Sequence, residues 1–183
     1  MKMLGVNIKR LREERGVTLR KLAPQLGVSA SFLSQVERGK VSPSLATLKK
    51  ISDLFATTIG IIIGEDQQPT NIPVVRELDR KHAHGVSKGL DVYLLTSPDP
   101  NKQMEPLLFK MSPKADSGQT GYKHFGQEFV LVIKGVVEIT LNDTVYVLKK
   151  GDSIYFNSSV PHSFRNLDAK VSEAVWVITP PTF

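Results

Sequence analysis

The sequence predicts an α+β protein of two domains: an all-α domain over residues 1–64, a linker at residues 65–72 and an all-β domain over residues 73–183. Up to Phe55 the apolar residues recur every three or four positions, which is the spacing of amphipathic helices. After Gln67 they form short β-branched runs interrupted by Gly, Pro, Asn and Asp, a pattern typical of an all-β domain.

The charge changes at the same place. Residues 1–64 contain 11 Lys and Arg against 4 Asp and Glu, a net charge of +7, whereas residues 65–183 contain 13 against 14, a net charge of −1. A basic domain joined to a near-neutral one indicates that the first domain binds a polyanion, unless it is only a solvated basic surface. The charge alone leaves both interpretations open.

Composition excludes several classes of protein. The chain has no cysteine, which excludes disulfide scaffolds, cysteine zinc sites, iron–sulfur clusters and thiol nucleophiles. The longest apolar runs, residues 129–133 and 61–63, are too short to span a membrane, and the first residues lack the apolar stretch of a secretory signal. We therefore expect a cytoplasmic protein with no membrane partner.

Two short helices are predicted inside the basic domain. Thr18 is placed to cap a helix from Leu19 to about Leu26, and Gly27 supplies the turn that follows. Ser29 is placed to cap the next helix, from residue 30 to about residue 38, where Gly39 ends it. Two short helices joined by a three- or four-residue turn containing Gly are typical of a helix-turn-helix.

The second helix carries a row of polar residues at positions i, i+3, i+4 and i+7: Ser31, Ser34, Gln35 and Arg38. Gln bonds adenine, Arg bonds guanine, and short Ser side chains let a helix approach the floor of a major groove. The alternative is an ordinary solvated helix face. The complete set of predicted DNA-binding residues is Thr18, Arg20, Ser29, Ser31, Ser34, Gln35, Arg38 and Lys40.

A longer string, made of residues 8–23, 27–29, 31–39 and 42–48, resembles the five-helix DNA-binding domain of phage-repressor-like (XRE-type) bacterial regulators. The resemblance covers about residues 5–63 and implies a double-stranded DNA operator as partner. Pro24 departs from the family pattern, because it removes the hydrogen bond to the carbonyl of Arg20. A kink at this position would tilt the helix that braces the DNA backbone.

Short strands follow one another closely after residue 73, which predicts an antiparallel barrel or jelly roll large enough to enclose one small ligand. The candidate strands are residues 74–78, 92–96, 106–111, 128–133, 136–141, 145–148, 153–156, 163–166 and 174–178.

Two segments of this domain, residues 122–135 and 151–166, resemble the paired motifs of cupins, whose fold is a double-stranded β-helix. The resemblance implies a divalent metal (Zn, Fe, Mn or Ni) bound by His124, Glu128 and His162, with Tyr122 in place of a further histidine. Two histidines hydrogen-bonded in a barrel without metal are the alternative. His82 and His84 form a separate pair, which we interpret as part of a solvated loop.

The order of the two domains resembles a class of bacterial regulators with a cupin sensor, which implies a repressor that binds its operator as a homodimer and responds to a small-molecule effector. Tyr122, Phe109 and Tyr155 are the candidate effector-binding residues, although core packing explains them equally well.

The alternative function is that of an enzyme. Mononuclear iron epoxidases, such as that of fosfomycin biosynthesis, also join a helix-turn-helix-like domain to a cupin and carry a His-x-Gly-x-Glu pattern, as at His124, Gly126 and Glu128. An accessory domain has no need of the polar row or of the +7 charge, so the sequence favours a regulator that is not an enzyme.

Overall fold

The computed structural model describes residues 2–64, 72–83, 88–99, 101–118 and 121–181. In these ranges the helices are α1 (Lys2–Glu14), α2 (Leu19–Leu26), α3 (Ala30–Glu37), α4 (Leu45–Leu54) and α5 (Ile59–Ile63), followed by a 3₁₀ helix at Glu77–Asp79. The strands are β1 (His82–Ala83), β2 (Leu90–Leu94), β3 (Glu105–Met111), β4 (Gln127–Lys134), β5 (Val136–Leu141), β6 (Thr144–Lys149), β7 (Ser153–Asn157), β8 (His162–Asn166) and β9 (Ser172–Thr179).

Hydroxyl caps fix where the helices begin. Thr18 Oγ1 accepts a hydrogen bond from the amide of Lys21 at 3.3 Å, and Ser29 Oγ accepts one from the amide of Phe32 at 3.1 Å. Gly27 ends α2 in the left-handed conformation at φ 70°, which favours glycine. Helix α2 continues through Pro24 to Leu26, so the proline does not end it.

The strands form two antiparallel sheets, one in the order β1-β2-β3-β9-β4-β7 and the other in the order β6-β5-β8. Alternate residues of β9 are buried, and Trp176 in the middle of that strand is 1 % exposed. The predicted fold class, an all-α region followed by an all-β double-stranded β-helix, is therefore confirmed.

Three expectations are wrong at the start of the β region. Residues 74–78 form no strand. Val74 and Leu78 are 51 % and 98 % exposed, so their apolar side chains are not buried against a sheet. The strand predicted at residues 92–96 is β2, which begins and ends two residues earlier. His82 is not in a loop: it lies in β1, stacks on Tyr93 and is 2.9 Å from a carboxylate oxygen of Asp91. His84 and all but the last residue of the predicted linker lie outside the described residues.

The helical and β regions meet at the first turn of α4. The carbonyl of Ser117 lies 3.4 Å from the amide nitrogen of Ala46. Gly118, at φ +122°, lies so close to α4 that a Cβ atom there would be 3.2 Å from the Cβ of Ser44. Ser117 is itself held by β8, because its amide donates to the carbonyl of Phe164 at 3.0 Å and its Oγ accepts from the Phe164 amide at 3.1 Å.

Candidate functional sites: a polar helix face and a buried His–Glu cluster

Helix α3 turns one face to the core and the other to solvent. Leu33 and Val36 are buried. The opposite face carries the predicted polar row, of which Ser31 and Arg38 are exposed and Ser34 and Gln35 are half-buried. The side chains expected to read bases therefore share one accessible face of the second helix of the motif.

The predicted residues around this row differ in their contacts. The hydroxyls of Thr18 and Ser29 cap α2 and α3, and Ser29 Oγ also lies 3.0 Å from Ser31 Oγ. Arg20 and Lys40 are exposed. Among the ion pairs between described residues, none involves Arg20, Arg38 or Lys40. Their positive charges are available to an anionic partner.

An ion pair that the sequence did not reveal holds α3 in place. Arg12 of α1 contacts both carboxylate oxygens of Glu37, with Nε 2.6 Å from Oε1 and Nη2 2.9 Å from Oε2. Its Nη1 donates to the carbonyl of Val17 at 3.0 Å. The hydrogen bond to Glu37 raises the pKa of Arg12, and burial opposes that rise. The matching charges lie 25 positions apart, so no local pattern indicates the pair.

The three predicted metal ligands come together inside the β region. His124 Nε2 lies 2.8 Å from Glu128 Oε1, and His162 Nε2 lies 3.1 Å from the same oxygen. The three side chains are 4 %, 1 % and 1 % exposed. Gly126 makes the turn between His124 and Glu128 possible, because a Cβ atom there would lie 2.1 Å from the carbonyl oxygen of Thr179. The spacing of the motif therefore depends on a glycine at its centre.

Backbone carbonyls hold both imidazoles in one orientation. His124 Nδ1 lies 3.0 Å from the carbonyl oxygen of Phe125, and His162 Nδ1 lies 2.8 Å from that of Val160. A carbonyl oxygen only accepts hydrogen bonds, so each Nδ1 is assigned a proton, and Nε2 is the ring nitrogen that faces Glu128. With a metal ion bound at Nε2, each ring would keep the proton on Nδ1, which is the tautomer that the ion requires.

The electrostatics of the cluster suit a cation. Glu128 Oε1 and His162 Nε2 are buried without a hydrogen bond of acceptable geometry, although they lie close together. Burial raises the pKa of Glu128, but the two imidazoles outweigh burial and lower that pKa to about 2. The carboxylate is therefore charged at neutral pH. Burial, with a smaller contribution from Glu128, raises the pKa of the neighbouring Tyr122 well above 10, which keeps its phenol neutral.

Buried aromatic side chains pack next to the His–Glu cluster in the interior of the β region. The ring of Tyr122 lies 4.3 Å from that of His162, and Trp176 donates its indole N–H to Glu128 Oε2 at 2.5 Å. Phe109 stacks on Trp176 at 4.9 Å and is 1 % exposed. Tyr155 is 63 % exposed on the outer side of β7, so the expectation that it lines the interior is wrong.

Known proteins share both regions. Residues 8–62 match the family described as Helix-turn-helix, and residues 107–178 match the Cupin domain family. The HTH-type transcriptional regulator PuuR of Escherichia coli (strain K12) is 29 % identical over 179 residues, which cover 98 % of this chain and 96 % of PuuR. The HTH-type transcriptional regulator SutR of the same organism is 31 % identical over 165 residues, or 90 % and 88 % of the two chains.

Two solved structures share the fold. A transcriptional regulator of the HTH_3 family from Vibrio cholerae superposes with a TM-score of 0.71 at 20 % identity, covering 98 % of this chain and 96 % of that one. The iron(II) form of HppE superposes with a TM-score of 0.51 at 20 % identity, covering 97 % and 98 %.

The fold and the two sites define a DNA-binding regulator with a cupin sensor domain. The chain belongs to the HTH-type transcriptional regulators that join an XRE-type helix-turn-helix to a cupin, the family of SutR and PuuR. None of the helices in the described residues has the length and hydropathy needed to cross a bilayer.

Proposed function

We propose that the protein is a cytoplasmic repressor that binds operator DNA as a homodimer and is controlled by a divalent metal or a small metabolite held at the buried cluster. The observation that carries the proposal is the polar row on the accessible face of α3, flanked by cations that form no ion pair with the other described residues. Ser31, Ser34, Gln35 and Arg38 contact base edges, and Arg20 and Lys40 contact phosphates. The N-termini of α2 and α3, which Thr18 and Ser29 cap, face the phosphate backbone of the DNA.

The test is selection of bound fragments from random DNA at low salt by the full-length protein. We expect a palindromic consensus with half-site centres about 34 Å apart, because two copies of α3 then reach successive major grooves on one side of the duplex. Recovery of no preferred sequence would contradict the regulator function.

The cluster is suited to a divalent ion. His124 and His162 supply two imidazole nitrogens and Glu128 supplies a carboxylate oxygen, a set that iron, zinc, manganese and nickel accept. A bound ion would place positive charge at the buried Glu128 Oε1. Metal analysis after incubation with each of these ions and dialysis tests the site. The Tyr122→His variant adds a fourth ligand and is expected to retain metal more tightly than the wild type.

The effector is proposed to bind beside Tyr122. Phe109, which stacks on Trp176, is proposed to support the site from the interior of the β region. Metabolites that bind the folded state but not the unfolded state raise the melting temperature of the protein by mass action. A screen of polyamines, amino acids and sugars by thermal shift, repeated with Tyr122→Phe, identifies the ligand and tests the role of the phenol. A ligand whose shift is unchanged in the variant would place the effector site elsewhere.

The homodimer is proposed to form through the outer apolar face, which we define as Phe129, Leu131, Tyr155, Val175 and Val177. The strand register places Phe129 beside both Tyr155 and Val177, and Leu131 beside Val175, all on the solvent side of the larger sheet. Phe129 and Tyr155 are 38 % and 63 % exposed. A second copy is the occupant, because one helix-turn-helix covers only half of a palindromic operator.

Sedimentation of full-length protein at tens of micromolar tests this face. We expect a dimer for the wild type, a monomer for Tyr155→Lys, and a dimer for Tyr146→Lys, which changes an exposed tyrosine on β6. A monomeric wild type, or a Tyr155→Lys dimer, would contradict the proposed interface.

A mononuclear metal enzyme is the second candidate function. The buried set of two imidazoles and one carboxylate favours it, because that set leaves coordination positions open for a substrate. The DNA selection separates the two candidates, since an enzyme with an accessory helical domain selects no consensus sequence.

A further inference from the structure

We propose that Trp176 is a positioning residue that restricts Glu128 to binding a metal ion through one oxygen, and so sets which ions the cluster accepts. The inference rests on the proposed metal site. Trp176 is the one tryptophan of the chain and lies on the inner side of β9, beside Val130 of β4. Its indole nitrogen donates to Glu128 Oε2 at 2.5 Å, whereas both imidazole Nε2 atoms face Oε1.

The two carboxylate oxygens therefore have separate partners. An indole N–H only donates, and releasing it from Oε2 would leave a buried donor unsatisfied. A bidentate ion needs both oxygens, so the hydrogen bond from Trp176 favours coordination through Oε1 alone. Two nitrogens and one oxygen suit zinc, iron, manganese and nickel, whereas calcium prefers six to eight oxygens and often takes both oxygens of a carboxylate.

Neighbouring rings prevent the indole from turning away. Phe109 stacks against Trp176 with ring centroids 4.9 Å apart and an interplanar angle of 20°, and Phe164 lies 4.8 Å away on another side. Both phenylalanines are buried. The orientation of the indole N–H is thus fixed by packing before any ion binds, which is how an outer partner tunes a metal ligand.

The experiment compares the full-length wild type with Trp176→Phe and with Leu90→Ala. The second variant is a matched control, because Leu90 is buried in the same sheet but lies on β2, two strands away from Trp176 on β9. Competition with a chromogenic chelator measures Kd for Zn²⁺ and for Ca²⁺. We expect Trp176→Phe to bind Zn²⁺ about 10–100-fold more weakly and to lose much of its preference for Zn²⁺ over Ca²⁺. Leu90→Ala is expected to stay within about threefold of the wild type.

A second measurement uses the emission of Trp176 itself. In the wild type, Ni²⁺ is expected to quench this single tryptophan, and Glu128→Gln is expected to abolish the quenching. A folded Trp176→Phe protein with wild-type Zn²⁺ affinity and selectivity would overturn the inference, as would an equal loss in Leu90→Ala. A wild type that selects DNA but binds no metal overturns both the metal site and this inference. A metal response as expected without DNA selection leaves the inference standing and removes the regulator function.

Discussion

The two regions carry their charged groups in opposite environments. On α3 and beside it, Arg38 and Lys40 are exposed and have no ionic partner among the described residues. In the β region, the carboxylate of Glu128 is 1 % exposed and is enclosed by His124 and His162. A change on the helical surface removes one interaction with a partner, whereas a change in the cluster leaves buried polar groups uncompensated. We therefore expect substitutions on the α3 surface to change DNA binding with little effect on stability, and substitutions in the buried cluster to affect both metal binding and stability.

The largest effect is expected for Glu128→Ala. The variant removes the only carboxylate of the cluster, and two imidazoles alone hold a divalent ion loosely, so retention of metal after dialysis should be lost. Binding of the metal-free variant to operator DNA should remain within about threefold of the wild type, because α3 is unchanged. Elemental analysis and a DNA titration measure the two quantities.

The matched control is Glu173→Ala, which removes a half-buried carboxylate of β9 that pairs with Lys134. This variant should retain metal. Glu128→Gln keeps the volume of the side chain and should lose metal as well, which separates loss of the ligand from loss of the fold. Full metal retention by Glu128→Gln would contradict the assignment of ligands.

The pH dependence of stability tests how strongly the buried carboxylate of Glu128 is stabilised in the folded protein. The folded pKa of Glu128, about 2, lies below the ordinary 4.5, so its contribution is present above pH 4.5 and is lost as the pH falls towards 2. The shift corresponds to about 3 kcal/mol at 1.36 kcal/mol per unit. Urea denaturation of the metal-free protein at pH 6, 4 and 3 should show the larger part of this loss in the wild type, because pH 3 lies below the ordinary pKa but still above the folded one. A Glu128→Gln protein with the same pH slope would argue against it.

A smaller effect is expected for Gln35→Ala on the accessible face of α3. Loss of the amide should remove preference at one base position of the selected operator, at a cost of about 1–3 kcal/mol, with little change in the melting temperature. Binding to every single-base operator variant measures the preference. Gln25→Ala, which changes an exposed amide of α2, should leave every preference intact. Equal results for the two variants would remove Gln35 from base recognition.

The smallest effect is expected for Lys40→Ala. Loss of one phosphate contact should weaken binding to all sequences alike and reduce the slope of log K against log salt by about 1. Titrations at several salt concentrations, with Lys150→Ala in the β region as control, measure the slope. A change in sequence preference without a change in slope would mean that Lys40 contacts a base.

The bounds of α2 and α3 were predictable almost to the residue because their signals are local. Thr18, Ser29 and Gly27 fix the ends of α2 and α3 through contacts with residues a few positions away. The family resemblance predicted the His124, Glu128 and His162 set, which the structure brings together. Contacts between distant strands were not predictable, because they depend on sheet register: the hydrogen bond from Trp176 to Glu128 spans 48 positions. The same cause placed Tyr155 on the wrong side of its strand.

The contact between Ser117 and the first turn of α4 has a mechanical consequence. Strand β8 begins with His162, and the next inward-facing residue of the strand is Phe164. The backbone of Phe164 is hydrogen-bonded to both the amide and the hydroxyl of Ser117. The carbonyl of Ser117 in turn reaches Ala46 of α4. The strand that carries a candidate metal ligand is therefore also the strand to which the DNA-binding helices are tethered. A ligand that displaced His162 would therefore act two residues away from the point where β8 is connected, through Ser117, to α4.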